Sequence, residues 1–353
     1  MSRLFSHLSV RGVEFKNRIF VSPMCQYSSI QGMPSDWHLV HLGSRAVGGA
    51  AMVMVEASAI SPEGRISPDD SGIWNDQQAE AFERITSFIK SQDCIAGIQI
   101  SHAGRKASTF APWKGSGEVK VEQGGWQTIA PSPIMFAENY PHPKEMTQED
   151  IHQVIEDFKE AAQRSLNAGF RVIELHMAHG YLIHQFLSPL SNHRTDEYGG
   201  SLENRCRLAI EVTRAVRSIL PDNFPLFIRI SSTDWVEKGW DELQSVALIK
   251  YLKPEGADLI DCSSGGNVMR ASIPVAAGYQ IPFSRKIKKE TGILTGGVGL
   301  ITAPEQAEQI IATGQADAVF MARELLRDPY WPLHAAKKLN FDIKWPDQYL
   351  RAR

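Results

Sequence analysis

Val172-Ile173-Glu174-Leu175-His176-Met177-Ala178-His179-Gly180-Tyr181 begins as an apolar run, Val172–Leu175, and stops as a buried strand stops, at a cluster of polar side chains. Seven other short apolar runs lie along the chain, at Ile19–Val21, Ala51–Val55, Ile95–Ile100, Leu226–Ile230, Leu259–Ile260, Ile293–Leu294 and Ala318–Met321. Longer amphipathic segments separate them, at Asp36–Val47, Asp76–Ser91, Thr147–Ala168, Leu202–Ile219, Asp241–Leu252, Phe283–Glu290, Ala303–Ala312 and Pro329–Leu339. Thr147 followed by acids is a helix N-terminal signal, and Gly169 and Gly314 are helix stops. About eight strands alternating with about eight helices point to a (β/α)8 TIM barrel. A doubly wound sheet is the other arrangement, and periodicity does not separate the two. The segment Thr109–Lys144, rich in Gly, Pro and Trp, reads as a long excursion over the barrel mouth.

The 353 residues are 43% hydrophobic and 22% charged, with a formal net charge of −3, which fits one packed domain over residues 1–353. No basic or acidic block suggests a nucleic-acid partner, and no apolar run is long enough for a bilayer. Met1 to Val10 lacks the apolar region of a signal peptide. The four cysteines, Cys25, Cys94, Cys206 and Cys262, are scattered and form no CxxC pair. That spacing disfavours a structural metal or iron–sulfur cluster, and a reducing cytoplasm is the expected compartment.

In a barrel, chemistry sits at the C-terminal ends of the strands. The ends here carry Ser22-Pro23-Met24-Cys25-Gln26-Tyr27, then Glu56-Ala57, then Gln99, Ser101 and His102 with Gly104-Arg105-Lys106. They continue with His176, His179 and Tyr181, Arg229, Ser263-Ser264-Gly265-Gly266, Gly296-Gly297-Val298-Gly299, and Ala322-Arg323. Spaced three apart, His176 and His179 would share one side of a helical turn and aim two donors at one oxygen, with the Tyr181 phenol at a neighbouring carbon. The plain alternatives are a buried His pair or a metal site. The Gly296–Gly299 turn and Arg323 suggest an anion site, since barrel phosphate sites follow the seventh and eighth strands; glycine clusters are also simply turns. Arg229 closes an apolar strand and needs an anionic partner, either a barrel carboxylate such as Asp261 or an anionic cofactor.

The chain resembles the old yellow enzyme family of FMN-dependent ene-reductases over nearly its whole length, from Leu4 onward. Five motifs carry the resemblance: Ser22 to Tyr27, Val55-Glu56-Ala57, His102 to Lys106, His176 to Leu182, and the long Ser188-Pro189-Leu190-Ser191-Asn192-His193-Arg194-Thr195-Asp196-Glu197-Tyr198-Gly199-Gly200. The nearest branch is the bacterial one with an active-site cysteine and NADPH dehydrogenase or xenobiotic reductase activity.

The resemblance implies that Ser22, Pro23, Met24, Cys25, Ala57 and Gln99 contact the isoalloxazine ring of FMN, with Arg229 near N1 and the C2 carbonyl. Gly296, Gly297, Ala322 and Arg323 would hold the phosphate. His176 and His179 would bind the carbonyl oxygen of an α,β-unsaturated substrate, Tyr181 would protonate its α-carbon, and Tyr27 would line the pocket. Cys25 would tune the flavin, or be an inert small hydrophobe. Lys106 would lie close to the polar edge of the flavin and reach substrate, or be a solvated lysine. NADPH would reduce FMN first and leave, and the enone would enter the same pocket. Trp113 and Trp126 would roof the pocket, or pack beneath a loop. Arg351 would reach a neighbouring subunit's site in a homodimer or homotetramer, or lie in a frayed tail. The family usually has Gly where this chain has Ala322, tolerable if φ is negative there. A metal-dependent barrel hydrolase using His176 and His179, and a non-catalytic flavin carrier, are the rival readings.

Overall fold

A computed structural model describes residues 2–353; Met1, where the N-terminal reading and the domain span begin, lies outside them. Eight parallel strands close into a barrel in chain order. They are β1 (Ile19–Val21), β2 (Met52–Ala59), β3 (Ile95–Ser101), β4 (Val172–Met177), β5 (Leu226–Ser231), β6 (Leu259–Ser263), β7 (Leu294–Gly297) and β8 (Ala318–Met321). The expected barrel is therefore the fold, and the doubly wound alternative is excluded by the β5–β6 and β8–β1 pairings that close the ring.

Helices follow the strands: α1 (Asp36–Val47), α2 (Asp76–Ser91), α3 (Gln148–Asn167), α4 (Leu182–Leu187), α5 (Leu202–Ile219), α6 (Glu242–Leu252), α7 (Ile281–Thr291) and α8 (Pro304–Ala312) lie between strands, and α9 (Arg323–Arg327) and α10 (Trp331–Lys338) come after β8. Local chemistry sets their starts. Thr147 accepts from the Asp150 N–H while the Asp150 carboxylate accepts from the Thr147 N–H, a reciprocal cap of the kind the sequence suggested. Asn75, Ser201 and Asp241 cap α2, α5 and α6 through side-chain oxygens. The expected helix Pro329–Leu339 is α10, with Pro332 in its first turn, and a short helix that the periodicity did not reveal, α9, precedes it.

Strand periodicity divides the interior. Alternate residues of each strand point outward to the helices, as Ile173, Leu175, Ile228 and Ile260 do. The inward set is apolar at the strand beginnings: Phe20, Met52, Met54, Val172, Phe227, Leu259, Ala318 and Phe320 form one cluster. A hairpin that the periodicity did not reveal, Leu8–Val10 paired with Val13–Phe15, closes this end. Its Phe15 ring lies 4.8 Å from Phe20 and 6.3 Å from Phe227, and Phe20 meets Phe320 edge-on at 5.4 Å. Each such buried ring contributes on the order of 2–3 kcal/mol.

Gly296 and Gly297 are the last residues of β7, and the turn expected over Gly296–Gly299 begins only at Val298. A Cβ on Gly296 would stand 2.2 Å from Phe320 Cε2, and one on Gly297 would stand 2.7 Å from Ile281 Cδ1. Their small size serves packing. Gly296→Ala is expected to lower stability by about 1–3 kcal/mol by displacing the Phe320 ring, measured as the urea midpoint of the purified protein.

Candidate active site

Polar side chains occupy the inward positions where the strands end. Gln99, Glu174, Arg229 and Asp261 form a layer above the phenylalanines, and Ser101, His176 and Ser263 stand one step higher. His176 is a strand residue and His179 follows in a left-handed conformation, φ +59°. The two histidines therefore do not share a helical turn, as their spacing had suggested. They converge because the chain reverses after Met177: the rings are 5.1 Å apart and perpendicular, and the Tyr181 ring is 5.0 Å from His176.

The tautomers follow from the hydrogen bonds. His176 Nδ1 accepts from the Ala178 N–H at 3.3 Å, so its Nε2 is the N–H donor. His179 Nε2 pairs with Ser263 Oγ at 2.7 Å, and the His179 N–H donates to Ser231 Oγ at 2.9 Å. Burial first, and Arg229 second, push both imidazoles well below the ordinary histidine range, so both are neutral donors. Burial pushes the Tyr181 phenol well above its usual range, and Tyr27 likewise, so both keep their protons.

The turn carrying these groups is held from two sides. Gly180 and Gly266 approach so closely that a Cβ on Gly180 would meet the Gly266 carbonyl oxygen at 2.2 Å. Lys106 Nζ donates to the carbonyls of both His179 (2.9 Å) and Gly266 (3.0 Å), and lies over the Phe136 and Tyr181 rings at 4.5 and 5.0 Å. It is thus a staple between two strand ends rather than a solvated loop lysine. Burial and then Arg105 bring its pKa down to about 7. From below, His184 Nδ1 accepts the Gly180 N–H at 2.9 Å, and its Nε2 faces Asp234 Oδ1 at 3.1 Å. Asp234 also accepts from Ser188 Oγ (2.6 Å) and the Trp240 N–H (2.9 Å).

The β1 end is anchored in the same manner. Tyr27 has φ +47°, and the preceding Gln26 N–H donates to Glu56 Oε2 at 2.8 Å. Glu56 Oε1 accepts from Ser71 Oγ at 2.7 Å and faces His38 Nε2 at 3.2 Å. Glu56 and Ala57 sit where β2 shifts register between Val55 and Ser58, a bulge that re-aims the strand end. Pro23, Met24 and Cys25 are half-buried along this loop. Burial, then Asp70, pushes the Cys25 thiol well up, away from a nucleophilic thiolate.

The excursion does cover the mouth. Trp113 meets Tyr27 edge-on at 5.6 Å and stays 65% exposed. Trp126 packs beneath the loop, with Arg65 over its ring at 4.7 Å and its indole N–H donating to the Glu63 carbonyl. Arg351 lies in an exposed turn, Asp347–Ala352, beside a cavity of about 570 Å³ walled by Lys16, Gln92 and Trp345. That cavity is at the N-terminal strand ends, the far side of this subunit from its own mouth. Among the described residues no group of three or more His, Cys, Asp or Glu gathers as a metal site, and no helix is long and apolar enough to cross a membrane.

The mouth suits a flat cofactor with an anionic tail. Ser22 Oγ is buried with no partner at the end of β1, and Arg229 reaches up beside His176. Both proposed partners of Arg229 are thus open to it: its Nε is 3.0 Å from Asp261 Oδ2, the carboxylate contact the sequence allowed. Gln99 commits one amide N–H to Glu174 Oε1 at 2.8 Å. Ala322 has φ −110°, so its methyl group is tolerated, and exposed Arg323, free of any carboxylate among the described residues, follows at once. Sequence reading missed Glu174, His184, Asp234 and the His38–Glu56 pair as site supports. The available signal for Glu174 was a lone acid at an inward position of an apolar strand.

Asp234 yields a test of the support. Burial would raise its pKa, but His184, Ser188 and the Trp240 N–H outweigh that and hold it at about 2. A folded-state value below the unfolded one of about 3.9 means stability that is complete above pH ~4 and lost as pH falls through ~2. Asp234→Ala should cost roughly 3–5 kcal/mol at neutral pH and flatten the acid limb, measured by denaturant melts across pH 2–7.

The profile of the NADH:flavin oxidoreductase / NADH oxidase family matches residues 3–342. The chain is 49% identical over 352 residues to an NADPH dehydrogenase of Bacillus licheniformis, covering 99% of this chain and 98% of the relative. It is 47% identical over 352 residues to an NADPH dehydrogenase of Bacillus velezensis, covering 99% of each. Morphinone reductase superposes with a TM-score of 0.80 at 25% identity, over 98% of this chain and 92% of that one. A 2-naphthoyl-CoA reductase superposes with a TM-score of 0.88 at 24% identity, over 95% of this chain and 52% of that longer one, a likeness of fold. Matched over nearly its whole length, the chain belongs to the NADH:flavin oxidoreductase / NADH oxidase family, the old yellow enzymes, and is an oxidoreductase whose cofactor is FMN.

Proposed function

We propose that this enzyme is an NADPH dehydrogenase of the active-site-cysteine branch that reduces the activated C=C bond of α,β-unsaturated carbonyl compounds. The observation that carries the reading is the convergence of His176, His179 and Tyr181. Two neutral imidazoles and a protonated phenol are suited to bind an oxygen that gains negative charge and to give up one proton beside it.

FMN, when bound, supplies hydride chemistry at the mouth, taking electrons from NADPH and giving them to the acceptor. Ser22 to Cys25, Ala57 and Gln99 are assigned to the ring, Arg229 to its N1 edge, and Gly296, Gly297, Ala322 and Arg323 to the phosphate. The two glycines contribute backbone only. Arg229 favours the anionic, reduced form. His176 and His179 hold the substrate oxygen and stabilise the developing enolate, since an N–H aimed at that oxygen gains strength as charge accumulates. Tyr181 delivers the proton to the α-carbon. Tyr27 bounds the pocket, Cys25 stands as a neutral thiol beside the ring, and Lys106 keeps Tyr181 in place. NADPH and the enone use one pocket in turn, a ping-pong sequence. Arg351, on the far side of its own barrel, serves the mouth of a second subunit in a homodimer or homotetramer. The whole of residues 1–353 acts as one cytoplasmic domain.

Anaerobic NADPH should bleach the flavin band of the purified protein, and 2-cyclohexenone should restore it. A band that NADPH leaves unchanged, or that the enone does not restore, refutes this function. Tyr181→Phe should leave flavin reduction by NADPH largely intact and slow re-oxidation by weakly activated enones about 100-fold or more.

Lys106 adds a pH signature. Below pH ~7 it is a cation over the Tyr181 ring and makes the phenol a better acid; above, it is neutral. The enone step should therefore slow as pH rises through about 7 in the wild-type enzyme. Lys106→Met should be slow and flat with pH in stopped-flow re-oxidation.

A further inference from the structure

Above the phenylalanine layer the barrel encloses two carboxyl groups and one guanidinium. Glu174 on β4 and Asp261 on β6 are both fully buried, and Arg229 stands on β5 between them. Arg229 pairs in register with Asp261 on one side and His176 on the other. The Arg229–Asp261 contact is an ion pair without hydrogen-bond alignment, so neither Asp261 oxygen receives a hydrogen bond. Gln99 donates to Glu174 Oε1, and Glu174 Oε2 has no donor.

Three carboxyl oxygens thus lack donors in a place closed to water. With both acids ionised, two negative charges would face one positive charge. A net charge in such an interior costs several kcal/mol, and a carboxyl there takes up a proton instead. The other groups facing the cluster supply no cation. His176 is neutral, Gln99 and Ser263 are uncharged, His179 is turned to Ser263, and Lys106 is turned to two backbone carbonyls.

We propose that Glu174 and Asp261 hold one proton between them beneath Arg229, and that this proton sets the positive charge Arg229 presents to the flavin. Burial raises both acids, and Arg229 opposes the rise of its neighbour Asp261, so the proton resides on Glu174. The cluster is then neutral: Arg229 positive, Asp261 negative, Glu174 protonated. Glu174 and Asp261 are positioning residues, acting through Arg229 and touching no reacting atom. The second half of the inference rests on the FMN site assigned above; the proton itself does not.

The test is an infrared spectrum of the FMN-loaded protein at neutral pH, in water and in D2O, with a redox titration of the same samples. Asp70→Asn removes the signal of the other deeply buried carboxyl near the mouth, which burial also raises. A carboxylic-acid carbonyl band that shifts in D2O should persist in Asp70→Asn and vanish in Glu174→Gln. Glu174→Gln should keep the neutral-pH flavin potential, because the amide mimics the protonated acid. Asp261→Asn should also lose the band, because Glu174 then ionises as the counter-charge, whereas the double variant Glu174→Gln/Asp261→Asn should raise the potential, because Arg229 has no counter-charge left. The absence of the band from Asp70→Asn protein overturns the shared proton, whether or not the other variants fold. A band that survives in Glu174→Gln overturns it as well. An unchanged potential in Glu174→Gln/Asp261→Asn overturns the link to the flavin. A protein that takes up no FMN would instead fail the cofactor assignment, and the infrared band would still decide the proton.

Discussion

Every feature of the mouth depends on how the barrel interior is filled below it. Phe20, Phe227 and Phe320 reach inward from three strands, and Phe15 enters from the N-terminal hairpin to meet them. These rings exclude water from the lower half of the barrel. That exclusion gives the layer above, Gln99, Glu174, Arg229 and Asp261, its electrostatic strength, because charges interact far more strongly where solvent cannot screen them. Gly296 is part of the same arrangement, since its missing side chain is the room that Phe320 occupies.

Above this floor, the reactive side chains are carried on backbone that an unconstrained chain would avoid. Tyr27 and His179 both have positive φ, each at a cost of about 1–3 kcal/mol. Each conformation is held by a buried polar network that reaches it through main-chain atoms. Glu56 accepts the Gln26 N–H, His184 accepts the Gly180 N–H, and Lys106 donates to the His179 carbonyl. Such supports leave the imidazole and phenol tips free for a ligand. They also explain why His38–Glu56 and His184–Asp234 are buried ion-pair geometries distant from any reacting atom: they fix where the catalytic side chains begin.

The amount of this legible in the sequence follows from range. Ile19–Val21, Ala318–Met321 and Leu202–Ile219 were read with the bounds they have, because alternation and capping are local signals. The barrel followed from their order. The residues gathered at the mouth were legible because strand ends are, but their geometry was not. Spacing suggested a helical turn for His176 and His179, whereas the strand runs on through Met177, and only the tertiary contact with Gly266 explains the reversal. Glu174 passed as part of an apolar run because its meaning depends on Arg229 and Asp261, far away in the chain. The packing role of the β7 glycines was hidden for the same reason, because the side chains they make room for, Phe320 and Ile281, lie in other elements.

The polar groups of the mouth are sorted by depth, and the sorting has a chemical reason. The imidazoles and phenols that would meet substrate are all neutral, pushed there by burial. A neutral N–H donor can stabilise an oxygen anion without losing its proton to it, which a strongly acidic imidazolium would do. Full charges are tied to partners of their own: Arg229 to Asp261 below, and Lys106 to two backbone carbonyls while it lies over the Tyr181 ring. From those places they act through the field, biasing the electron carrier and the phenol, while the direct contacts supply only hydrogen bonds and one proton. The depth of each residue along its strand thus separates the groups that tune the reaction from those that touch it.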